Sequence, residues 1–284
     1  MNQELFKDRK LVIATMHGKE RVIAPILERE LGVKVILPVG FDSDKYGTFT
    51  RDIERAGNQL EAARLKLKVA MEMTGVDLGV SSEGSFGAHP SIPFVQSDFE
   101  LILFVDAKHG YEIRGHHRTA ETNFEGQDIT SLEEALVFAK KIGFPEHGVI
   151  VRRRKDGRGW IDKTIRTEDQ LIETVKRKLA RPFTHKLFIE TDMRADRNPT
   201  RMLAIEQATL DLLKNIRSEC PQCAAPGFVC INFEKGLKCS LCGSPTDLPM
   251  NDIYSCGQCA YEEKRPVVEF GESADPKYCQ YCNP

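Results

Sequence analysis

Eight cysteines of the 284-residue chain fall into four Cys-x-x-Cys pairs, Cys220/Cys223, Cys239/Cys242, Cys256/Cys259 and Cys279/Cys282. Two residues between sulfurs let one tight turn present both thiolates to a single tetrahedral ion. Fifteen residues separate the first two pairs and nineteen the last two, which is zinc-ribbon spacing. The spacing predicts two four-thiolate ribbons in chain order, Cys220/Cys223 with Cys239/Cys242 and Cys256/Cys259 with Cys279/Cys282. Zinc is the expected metal, and iron is its rival at the same four-sulfur geometry. A cross-braced arrangement, Cys220/Cys223 joined to Cys256/Cys259, is the less economical alternative. Cys230 is left over and is expected to be a buried thiol. Residues 220–284 hold five Lys or Arg against eight Asp or Glu, the wrong sign for a nucleic-acid-binding ribbon. Metal here is expected to replace a hydrophobic core too small to hold the tail together.

The rest of the chain offers phosphate chemistry. The turn Thr15-Met16-His17-Gly18-Lys19-Glu20-Arg21 joins a strand to a helix start, where backbone amides with Thr15 and Lys19 make an anion site. In "SSEGSFGAHP" (residues 81–90), Glu83 stands among serines and glycines, Ser85 included, that allow close approach to an oxyanion. "ETDMRADRNPTR" (190–201) crowds acids and arginines at a strand-to-helix turn, where ligands of α/β folds collect. Glu190 and Asp192 are candidates for metal binding or general base, and Arg194 and Arg201 for clamping phosphate oxygens. Residues 119–124 carry hydroxyl, amide and aromatic groups, Asn123 among them, suited to a base or sugar. His17 and His89 are candidate general acids. Each of these also has a plain structural reading, as turn, cap or solvated charge.

Along residues 10–90 the order of features resembles the inosine-triphosphate pyrophosphatase and Maf-like superfamily. Ala14, Thr15 and Lys19 match its Ala-Thr turn and phosphate-binding lysine. Glu61, Ala63 and Lys66 match the spacing on its second long helix, and Glu83 stands where it places acids at the following strand end. The resemblance implies that Glu61 and Glu83 hold magnesium against a triphosphate while an activated water attacks between phosphates. His17 stands where that family has asparagine, and its acidic pair is reduced to one glutamate. The whole chain also resembles an uncharacterised bacterial family of unknown function, on "ATMHGKERVIAP", "SSEGSFGAHP", "ETDMRADRNPTRM" and paired cysteines ending in "CNP". That likeness supplies no activity.

The elements that must position these residues alternate strand and helix. Strands are expected at 11–15, 33–37, 76–80, 100–105, 111–114, 149–151 and 186–189. Helices are expected at 22–31, 58–73, 131–142 and 168–179, and from Pro199, with Asn198 as N-cap. A polar loop is expected over 41–56. This pattern predicts an α/β fold with a mixed central sheet and flanking helices, pyrophosphatase/Maf-like, over residues 1–218. Residues 219–284 form a small double zinc-ribbon module, because 1–219 contain no cysteine and all nine follow.

A net charge of −2 gives no global pull toward nucleic acid or membrane. The longest apolar runs are too short to span a bilayer, the charged N-terminus does not read as a signal peptide, and the cysteine usage suits the cytoplasm. Locally, residues 149–186 hold twelve Lys or Arg against five Asp or Glu, which could steer a polyphosphate or RNA toward a cleft. The leading expectation is a metal-assisted hydrolase of a nucleotide or related phosphorylated small molecule. The alternative is a non-catalytic nucleotide- or RNA-binding protein whose ribbons dock a partner.

Overall fold

The apolar run after Arg9 becomes strand β1 (Lys10–Ala14), with four of its five side chains buried. A computed structural model describes it together with the rest of residues 3–42 and 58–284; positions 43–56 of the expected polar loop lie outside the described residues. A short helix, α1 (Gln3–Phe6), precedes β1, and helix α2 (Glu20–Leu31) follows it. Gly32 closes α2 at φ +67°, a left-handed conformation that glycine adopts without the steric cost of a Cβ. Strand β2 (Lys34–Ile36) pairs parallel to one side of β1. After helix α3 (Gln59–Thr74), strand β3 (Leu78–His89) pairs parallel to its other side. β3 then turns back antiparallel into the long strand β4 (Ile92–Asp106), followed by β5 (Tyr111–Thr119). The resulting mixed sheet has the order β2-β1-β3-β4-β5. Val12, Ala63, Leu67 and Leu103 bury α3 against it.

A second, antiparallel sheet of order β6-β9-β7-β8 is built from β6 (Gly126–Ile129), β7 (Val149–Arg152), β8 (Ile161–Asp162) and β9 (Leu187–Thr191). Helices α4 (Leu132–Ile142) and α5 (Glu168–Leu179) close its core through Phe138, Ile142, Leu171 and Val175. Ser131 caps α4 by accepting from Glu134 N, one half of the capping box that Ser131 and Glu134 suggest; the Glu134 carboxylate accepts Thr130 N–H instead. Helix α6 (Pro199–Arg217) begins at its expected proline.

The class is therefore mixed α/β, with a mixed sheet and flanking helices. The alternation of strand and helix did not reveal that the strands divide between two sheets. Nor is "SSEGSFGAHP" a turn at a strand end: Ser81 to His89 continue β3, each paired into the β4 ladder except at one irregularity near His89. The partner strand supplies the hydrogen bonds that make this Ser/Gly-rich segment extended, which local propensity does not favour.

Residues Gln3–Lys108 with Arg114–Leu213 form one compact unit, and His109–Ile113 with Lys214–Pro284 a second. The second holds an antiparallel meander of β10 (Val229–Lys235), β11 (Pro249–Ser255) and β12 (Glu262–Pro266). Phe228 anchors its small core, between Tyr254 and Tyr261 at ring-centroid distances of 5.7 and 5.9 Å.

Candidate functional site

In the larger unit β3 turns its polar residues inward. Ser81, Ser82 and Glu83 are almost completely buried, so each needs a partner. Ser81 Oγ donates to Ala63 O, and Lys66 Nζ lies 2.5 Å from Glu83 Oε1. Lys19 Nζ donates to Ser82 O at 2.9 Å and to Ser82 Oγ at 3.1 Å. On β4, Glu100 stands opposite Gly84 and accepts from Arg201 Nε at 2.7 Å. Arg201 also donates to the Met193 carbonyl. A Cβ at Gly84 would lie 2.4 Å from both Arg201 Nη2 and Glu100 Oε1, so any side chain there would have to displace this ion pair. Burial, then the charge of Glu100, pushes the Asp98 carboxyl up to about 8, so it keeps its proton at neutral pH. Burial and the nearby Arg201 charge bring the Lys19 ammonium down to about 8, against the pull of Glu100 and Glu83.

This network corrects several expectations. Lys19 is committed to Ser82 rather than offered to an anion at the 15–21 turn, and Thr15 Oγ1 is buried without a hydrogen-bond partner among the described residues. Glu83 is paired with Lys66 in mid-strand. Glu61 is exposed and forms a capping box with Asn58, its Oε2 accepting Asn58 N–H at 2.8 Å. Glu61 and Glu83 therefore give no support to a magnesium site. Ser85 is half-buried on β3, and His89 Nδ1 accepts Ser91 N–H in the hairpin turn. His17 Nδ1 lies 3.7 Å from Asp196.

Within "ETDMRADRNPTR", Asp192 is fully buried and Arg194 closes over it with its backbone N–H, Nε and Nη2. Arg194 also donates to Lys163 O. Neither group is therefore poised as a base or a phosphate clamp. Asn198 Oδ1 accepts from Arg201 N at 3.0 Å, the expected cap, and its Nδ2 donates to Asn123 Oδ1 at 2.8 Å.

A cavity of about 560 Å³ opens in the same unit, walled by the rings of Phe86, Phe124 and Phe188. Asn123, Thr122 and Gln96 supply amide and hydroxyl groups, while Arg152, Glu190 and Lys155 supply charge. Phe86 and Phe124 lie 5.8 Å apart between centroids. Arg152 Nε and Glu190 Oε1 form an ion pair at 3.1 Å. The Arg201 guanidinium lies 5.0 Å from the Phe86 centroid, linking the buried network to the cavity wall.

In the smaller unit the cysteines gather in two groups, each with its four Sγ atoms within 4.8 Å of one another. The grouping is cross-braced: Cys220, Cys223, Cys256 and Cys259 form one set, and Cys239, Cys242, Cys279 and Cys282 the other. This overturns the chain-order pairing. β10 and β11 are antiparallel, with Val229 opposite Ser255, so the turn before β10 meets the turn after β11. The β10–β11 connection carries Cys239 and Cys242 at the other end, where β12 also finishes, with Pro266 opposite Asn251. Sγ–Sγ distances of 3.6–3.9 Å match the edge of a tetrahedron with Zn–S bonds of about 2.3 Å and exclude disulfides. Leu241 N and Gln258 N each donate to a sulfur at 3.4 Å, as metal-binding turns do. Each set fits one ion such as zinc. Cys230 belongs to neither and is exposed on β10, not buried.

A family described as a domain of unknown function, DUF6671, matches residues 66–284. The chain belongs to the DUF6671 family. Both four-cysteine sets and the phenylalanine cavity fall within the DUF6671 span, whereas Thr15, His17, Lys19 and Glu61 precede it. No curated protein matches the chain. The pyrophosphatase/Maf likeness gains no support from either comparison.

Of the residues singled out from the sequence, the DUF6671 structure brings Asn123 and Glu190 to the cavity and Lys19, Glu83 and Arg201 to the buried network. Phe86, Phe188, Gln96 and Arg152 were missed as wall residues. Phe86 lay inside the Ser/Gly motif and Arg152 within the basic 149–186 segment, but nothing in local spacing joins them. Among the described residues, only the cysteine sets gather three or more acid, thiol or imidazole ligands closely enough for one ion.

Proposed function

We propose that the larger unit binds a nucleotide or related phosphorylated small molecule in the phenylalanine cavity, and that two zinc ions hold the smaller unit together. The observation that carries the reading is the cavity itself. Three phenyl rings can enclose a planar heterocycle, and Asn123, Thr122 and Gln96 can satisfy its polar edge. Arg152 and Lys155 on the same wall favour an anion. A volume of about 560 Å³ accommodates a mononucleotide. Binding fits the geometry better than metal-assisted hydrolysis, because Glu83, Glu190 and Asp192 are each matched to a cation. Glu190 is the one of the three on the cavity wall, so any turnover would depend on it.

Calorimetry with nucleoside mono- and triphosphates tests the reading. A nucleotide that binds should lose at least about tenfold in affinity on Phe188→Ala, which removes one ring from the wall. Phosphate release followed in the same samples, with Glu190→Gln as control, separates turnover from binding. Absence of binding by every nucleotide at millimolar concentration would overturn the proposal.

A further inference from the structure

Lys155 lines the cavity and also a second hollow, of about 510 Å³, whose walls include Arg153, Arg154, Phe183, His185 and Lys186. Phe183 is 88% exposed, and its backbone is left-handed at φ +61°. That conformation is costly for a residue with a bulky side chain. Arg153 holds it, donating from Nη2 to Phe183 O at 3.0 Å and from Nη1 to Lys186 O at 3.1 Å. Glycine would make this turn without strain, so a phenyl ring here is displayed to solvent at an energetic cost. The acids of the hollow are already taken: Asp128 by Lys186 and Asp156 by Arg158, each at 2.6 Å. Arg154 and Lys155 form no direct ion pair among the described residues: Arg154 only adds to the positive field at Asp156, and Lys155 Nζ lies 6.0 Å from the Phe188 ring centroid.

Resting on the nucleotide reading of the cavity, we propose that the ligand crosses Lys155 into this second hollow and is a short single-stranded oligonucleotide. One nucleobase lies among Phe86, Phe124 and Phe188. The phosphodiester passes Lys155 and Arg154, and the next base stacks on Phe183. Cations tracking the backbone beside an aromatic platform are how single strands are held without sequence readout. The excess of Lys and Arg over residues 149–186 serves the same end. A bare polyphosphate would use the cations but leave the exposed ring without a role.

The full-length, metal-loaded protein is titrated with adenosine monophosphate and with the di- and tetranucleotides of adenylate at low salt. Affinity is expected to rise about tenfold from mononucleotide to dinucleotide. Phe183→Gly, which suits the left-handed backbone, and Arg154→Ser should each remove that gain and leave mononucleotide affinity unchanged. Phe183→Tyr should restore it. Equal affinity at all lengths, a gain indifferent to both variants, or equally good competition by tripolyphosphate would overturn the inference. The two readings fail separately. Mononucleotide binding without a length gain sinks only the oligonucleotide; a gain that needs Phe183 but ignores Phe188→Ala sinks the cavity as its start.

Discussion

Arg201 donates to Glu100 and to the Met193 carbonyl, and its guanidinium lies beside the Phe86 ring. Glu100 is fully buried, so removing Arg201 leaves its charge without a hydrogen-bonded cation, with only the Lys19 ammonium to attract it. Arg201→Met should cost about 3–5 kcal/mol in urea denaturation, far more than a surface arginine; a loss below about 1 kcal/mol would show that Glu100 is not held as an ion there. Asp98 gives a pH signature. Its carboxyl is raised from 3.8 to about 8 in the folded protein, so the native state binds the extra proton between those values. Its contribution to stability is full below about pH 4 and is lost as pH rises toward 8. Lys19 runs the other way in a separate window: lowered from 10.5 to about 8, it makes the folded state gain stability as pH rises from 8 toward 10.5. Asp98→Asn stays neutral throughout, so the fall in denaturation midpoint between about pH 5 and 8 should flatten. An unchanged slope would assign the proton elsewhere.

At the scale of elements, α6 lies close to β5 because Gly115 lets it. A Cβ at Gly115 would stand 2.3 Å from Leu212 N and 2.4 Å from Ala208 O, both backbone atoms that cannot swing aside. Gly115→Ala should therefore destabilise by about 3 kcal/mol, read as a lowered melting temperature, whereas Gly87→Ala, with open space around it, should be near neutral. Equal effects would mean α6 can retreat. Helices were the most legible elements, because their signals are local: Ser131 caps where expected, while Asn58, read as the first helical residue, and Thr167, not singled out, prove to be the caps of α3 and α5. β3 was legible only as far as Val80. Beyond it the Ser/Gly composition describes a loop, and only β4, a non-local partner, makes it a strand. The site was readable for the same reason in parts. Arg201 and Asn123 advertised their chemistry, while the walls formed by Phe86 and Phe188 depend on contacts between distant segments, which no short-range spacing encodes.

For the molecule as a whole, the four cysteine pairs show how spacing can give the ligands and miss their partners. Consecutive pairs could close two separate ribbons, each a local loop with low closure entropy. The meander instead runs β10, β11 and β12 between the two ends, so each metal set ties together segments 33 to 43 residues apart and a strand connects one set to the other. Folding of this unit and binding of both metals should then be coupled, since losing either set frees the ends of the same sheet. Metal stoichiometry on double variants distinguishes the pairings. Cys220→Ser with Cys256→Ser damages one cross-braced set and should leave one zinc per chain, whereas in chain-order ribbons it would damage both. Cys220→Ser with Cys239→Ser does the reverse: it strikes both cross-braced sets and should leave no tightly held zinc. A chelator titration on the first pair of variants should also release the remaining ion more readily than from wild type, because the surviving site no longer has a metal-closed far end to hold its strands in register.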